Sequence, residues 1–190
     1  INELSSKNLV QITSDMLDAV SNYDKRVLAV NGGTSTSIFS NMVVNSQGIE
    51  AFERGTAIGC SLETIARDGS DVTPSCFEVD VKRIYDIDSK KVGIEASQKA
   101  VSSLKAKKIK SEVLPVIFTQ AAFRALLYYT VMNAIKADFV QRERSAFKDK
   151  IGEQVASDVV TIYDDGLLDG GLLTSKFDDE GVPNQRTIII

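Results

Sequence analysis

Apolar side chains recur at Leu9, Ile12, Met16 and Val20 within residues 5–21, and Ser5 or Ser6 stands ready as an N-cap. That spacing predicts an amphipathic helix. The period then changes. The stretches RVLAV (26–30), SIFSNMVV (37–44) and AIGCSLETIA (57–66) are rich in β-branched and aromatic residues and read as strands. FEVDVK (77–82) alternates strictly, with Phe77, Val79 and Val81 on one face and Glu78, Asp80 and Lys82 on the other. Turn signals separate them: NGG at 31–33, NSQG at 45–48 and RDGSD at 67–71. Four strands joined by short turns predict an antiparallel meander with one wet face. From Asp88 the helical period returns, with Ala96, Ala100, Val101 and Leu104 as its stripe, and this helix is expected to run out in KAKKIK (105–110).

The second half begins with EVLPVIFTQ (112–120), read as a strand. It leads into AAFRALLYYTVMNAIKADF (121–139), a helix apolar on all sides and therefore expected to be buried. A short helix is expected at 150–157, a strand at 158–163, an Asp-Gly turn at 165–166 and a last strand after FDDEGVPNQRT. The fold class is α+β: antiparallel sheets with packed helices, in parts of two domains. Residues 1–111 form the end of a first domain and residues 112–190 the beginning of a second.

Composition narrows the chemistry. The 190 residues are 43% hydrophobic and 25% charged, with a net charge of -4. These are ordinary soluble-globular values, and the charge argues against a dedicated nucleic-acid binder. KAKKIK has no interleaved aromatics to stack on bases and reads as cations at a helix C-terminus. No apolar run approaches a membrane span. Cys60 and Cys76 show no metal spacing and read as reduced structural thiols of a cytoplasmic protein. The chain contains no histidine, which removes the commonest general base and the commonest catalytic-zinc ligand. It starts at Ile1 and stops on RTIII, and reads as a piece of a longer protein.

The densest candidate chemistry is Asp178, Asp179 and Glu180 followed by Gly181. Three consecutive carboxylates in a strand cannot converge on one cation, and the run lacks the alternate spacing of calcium loops. A turn could still bring two of them together. Two further uses stay open on residue chemistry: acid–base work by a carboxylate pair, or a turn whose acids cap backbone N–H groups or pair with Arg186.

KIGEQVASDVVTIYDDGLLDGGLLTSKFDDEGVPNQRT (150–187) resembles the signature region of the TldD/PmbA family, proposed modulators of DNA gyrase that include metal-dependent peptidases. The resemblance extends more weakly to DFVQRERSAF (138–147), VNSQGIEAFERGT (44–56) and VGIEASQKA (92–100). In the TldD kind of chain, an HExxxH motif supplies two zinc-binding histidines and a glutamate base. Aligned on Asp138–Phe139, that motif falls on Tyr128 to Asn133, where this chain reads YYTVMN. Tyr128 and Asn133 occupy the ligand positions and Tyr129 that of the base, so neither a catalytic residue nor a metal ligand is expected.

The resemblance therefore implies the PmbA (TldE) kind: a metal-free subunit that pairs with a TldD-like subunit, or with itself, around a chamber where unfolded peptides are cut. Zinc is expected in the TldD-like partner and no cofactor in this chain. Asp178, Asp179, Glu180, Gly181 and Arg186 are its family signature. The alternative is a self-sufficient hydrolase using Asp164, Asp165, Asp178, Asp179 and Glu180 with a hard cation.

Overall fold

The computed structural model describes Ile1 and residues 4–190. The elements run α1 (Ser6–Tyr23), β1 (Val27–Val44), β2 (Glu50–Asp68), β3 (Asp71–Val72), β4 (Cys76–Lys82), α2 (Ser89–Ser102), α3 (Gln120–Tyr129), α4 (Val131–Ala134), α5 (Ala137–Gln141), β5 (Tyr163–Asp165) and β6 (Arg186–Ile188). They mix helices with wholly antiparallel sheets. Two compact units result, Ile1–Lys108 with Gly166–Asn184, and Ile109–Asp165 with Gln185–Ile190.

In the first unit, α1 begins with a capping box. The Asn8 N–H donates to the Ser5 hydroxyl, and the Ser5 N–H donates back to Asn8 Oδ1 at 2.9 Å. β2 is the central strand, paired with β1 along one edge and with β3 and β4 along the other. Its even-numbered residues Ile58, Cys60, Leu62, Thr64 and Ala66 are buried and meet Ile12, Met16 and Val20 of α1 and Val92, Ala96 and Ala100 of α2. Thr64 keeps its hydroxyl satisfied in this core by donating to the Ala96 carbonyl at 2.9 Å. Where α1 crosses α2, a Cβ on Gly93 would stand 2.4 Å from the Met16 carbonyl oxygen, so the approach requires glycine.

Three sequence expectations change here. NGG is not a turn. β1 runs through residues 31–33, and the register shifts between Ala29 and Asn31 as a bulge. The segment β2 offers a partner for the whole of β1, and one bulge absorbs the irregularity at less cost than ending the ladder. The meander thus has one long hairpin, turning at 45–48, with β4 and the two-residue β3 added. The helix layer also covers the polar face of β4, since register sets Glu78, Asp80 and Lys82 opposite Leu62, Cys60 and Ile58. Lys99 pairs with Glu78 and the Asp88 N–H donates to Asp80, whereas Phe77 is 52% exposed. Finally, α2 stops at Ser102, so KAKKIK lies beyond the helix, beginning with Lys105 at φ 59.

The second unit departs further. Residues 112–119 form no strand, and 150–157 form turns where a helix is expected. The strand expected at 158–163 is confined to β5, paired with β6. The apolar helix 121–139 is three helices rather than one, broken at Thr130 (φ -115, ψ -80) and again before Ala137. None of the three has a buried residue, contrary to the expectation of a buried helix. Phe118, Phe123, Leu126 and Met132 remain exposed; the second unit's own sheet is only the three-residue pair of β5 and β6, too small to cover them. No helix among the described residues is long and apolar enough to cross a membrane.

Candidate functional site

The acidic run is a closed turn in the first unit. The Asp178 carboxylate accepts the N–H of Glu180 at 3.0 Å and of Val182 at 2.8 Å. The Asp178 N–H donates to the Val182 carbonyl and the Gly181 N–H to the Asp178 carbonyl, while Phe177 and Pro183 bridge as a minimal antiparallel pair. Asp178 is thus committed to backbone donors, as a turn-forming Asp is expected to be. Gly181 has φ +83 and is buried; a Cβ there would lie 2.6 Å from Ile49. Asp179 and Glu180 are exposed.

Sequence reasoning missed the residues that hold this turn. Glu53, on β2, accepts the Lys176 N–H at 2.9 Å, and its other oxygen lies 2.9 Å from the Ser175 hydroxyl and 3.0 Å from Asn41 Nδ2. Those donors hold its carboxyl below the usual range, the Lys176 N–H most of all. Arg83, just past β4, donates to the carbonyls of Gly171 (3.0 Å), Leu172 (2.8 Å) and Thr174 (3.3 Å). Its guanidinium also lies over the Phe39 ring, 4.9 Å from the centroid. The signal available in sequence was slight: Glu53 and Arg54 stand within the weaker family segment, and Arg83 in no motif at all.

Arg186 belongs to the second unit. It meets Asp165 at 3.9 Å and stacks over Tyr163 at 4.0 Å, so its carboxylate partner is Asp165 and not a member of the 178–180 run.

At the degenerate motif, Tyr128 and Tyr129 end α3 with their rings edge to face at 5.2 Å, 64% and 74% exposed. Asn133 lies beyond the break at Thr130 and accepts from the Lys136 ammonium at 3.4 Å. Zinc does not fit this set. Two phenols and an amide already turned to a cation offer no thiolate, imidazole or carboxylate. Among the described residues no three His, Cys, Asp or Glu side chains gather as metal ligands. Cys60 and Cys76 are free thiols, and burial pushes that of Cys60 up.

Residues 1–104 match the PmbA/TldA metallopeptidase central domain and residues 111–190 the PmbA/TldA metallopeptidase C-terminal domain. The chain belongs to the TldD/PmbA family. It is 31% identical to an uncharacterized protein of Methanocaldococcus jannaschii over 99% of its length and 43% of the relative's. It is 27% identical to the metalloprotease PmbA of Escherichia coli O157:H7 over 99% of its length and 42% of that protein's. The structure of TldE from Thermococcus kodakarensis shares 28% identity at a TM-score of 0.82, over 99% of this chain and 42% of that one. A candidate modulator of DNA gyrase from Thermotoga maritima shares 25% at 0.89, over 100% and 44%. The chain therefore spans less than half the length of these relatives.

Proposed function

We propose that this chain belongs to a metal-free, PmbA/TldE-type subunit that works beside a zinc-bearing TldD-like subunit, or as a homodimer, on unfolded or small peptides. The observation that carries the reading is the donor set at the motif positions. Tyr128, Tyr129 and Asn133 stand where a TldD-like chain resembling it would place two ligands and a base. Two phenols and an amide are poor replacements for two imidazole ligands and a carboxylate base.

On this reading the chain's work is assembly and substrate presentation. The outer edge of β1 has no strand partner among the described residues, so its free N–H and C=O groups form a template to which an extended peptide can add. Asp178, Asp179, Glu180, Gly181 and Arg186 serve as structural signature residues with no role in bond cleavage. The competing reading, a self-sufficient hydrolase using Asp164, Asp165, Asp178, Asp179 and Glu180 with a hard cation, needs those acids to converge, and Asp178 is already engaged by two backbone N–H groups.

The test is a peptidase assay on an unfolded peptide, using the full chain alone and mixed with a TldD-like chain of the same organism. Cleavage is expected only in the mixture, lost on chelation and unaffected by Tyr129→Phe. Metal-dependent cleavage by this chain alone would overturn the proposal.

A further inference from the structure

Residues 171–184 have no regular strand or helix beyond a single bridge, yet they are tightly self-bonded. Thr174 donates to the Gly171 carbonyl, Asn184 to Lys176 and Ser175, and Asp178 organises the turn. This makes the segment a preformed piece rather than a loose connection. Its apolar anchorage to the β1–β2 hairpin is small: Phe177 is buried, and Gly181 rests on Val43 and Ile49. No residue of the segment belongs to the core cluster between the sheet and α1 and α2.

The polar anchorage comes from two side chains. Arg83 donates to the carbonyls of Gly171, Leu172 and Thr174, as its planar fork of donors permits. Glu53 takes the Lys176 N–H and the Ser175 hydroxyl on separate oxygens, with Asn41 steadying it from the neighbouring strand. Both sets are charge-assisted hydrogen bonds, about twice as strong as neutral ones.

We infer that residues 171–184 are a strap fastened to the β1–β2–β4 sheet by Glu53 on β2 and Arg83 just past β4, and that it can come away as a unit while the sheet stays folded. The two are positioning residues. They decide where the exposed Asp179 and Glu180 at the tip of the strap are held, whatever the whole protein does. The inference does not depend on the proposed function.

Hydrogen exchange on the full chain tests it, read at single amides. Glu53→Gln and Arg83→Met are each expected to speed exchange at Lys176, Val182 and Asn184 tenfold or more. The amides of Leu62 and Thr64 in β2 should keep their wild-type rates. Arg83→Lys should behave like Arg83→Met, because a point charge cannot reach three carbonyls. Unchanged strap exchange in Glu53→Gln and Arg83→Met, equal acceleration at Leu62 and Thr64, or full protection in Arg83→Lys would overturn the strap.

Discussion

Carboxylates that look alike in this sequence are used in opposite ways. Asp24 is held by Arg26, whose guanidinium lies 2.8 Å away and also reaches Asp68 at 3.1 Å. That hydrogen bond, with a second from the Arg26 N–H, pulls the Asp24 pKa down to about 2. Its folded value lies below the unfolded value of about 3.9, so its stabilising effect is complete above that pH and is lost as pH falls through 2. A carboxyl-carbon NMR titration should show a midpoint near 2 for Asp24, returning to the ordinary range in Arg26→Met. In the 178–180 turn the same side chain serves the backbone. Asp178→Ala removes an acceptor shared by two N–H groups and should cost about 1–2 kcal/mol. Asp179→Ala, at an exposed position, should stay within about 0.5 kcal/mol. Urea denaturation of both variants separates a turn-forming acid from a merely exposed one. That three acids sit in a turn was legible from Gly181 and Pro183; which of them caps it was not, because each of the three has nearby N–H groups that its carboxylate could accept from.

At the scale of elements, local signals succeeded where the element also had a partner. The period of α1 and the Ser5 cap are intrinsic, and Met16 is wholly buried as its stripe implies. Met16→Ala should cost about 2–5 kcal/mol. Gly93 carries no signal in its own helix, since its need arises from α1 crossing at the Met16 carbonyl. Gly93→Ala should destabilise by about 1–3 kcal/mol despite the better helix propensity of alanine, whereas Gly48→Ala meets no atom within 4 Å and is strained only by its φ of +88. Thermal melts of the two variants make the comparison. NGG misled for the same reason that Gly93 was silent: the opposite strand decided whether the chain turned or bulged. In 112–119 and 150–161 the β-branched and helix-like patterns form no strand or helix among the described residues. Propensity alone does not hold a short element in place.

For the whole molecule, the antiparallel α+β class was legible from the alternation of periods, and the family from an ordered set of segments rather than from any one of them. The excursion of 166–184 into the first unit was not, because nothing local in a glycine-rich link says which surface it will cross. The measurement that bears most directly on the central claim is native mass spectrometry of the full chain, alone and mixed with a TldD-like chain from the same organism, counting subunits and zinc. The account predicts a zinc-free chain on its own and a one-to-one complex carrying a single zinc in the mixture. Stoichiometric metal on the isolated chain, with no complex formed, would contradict it.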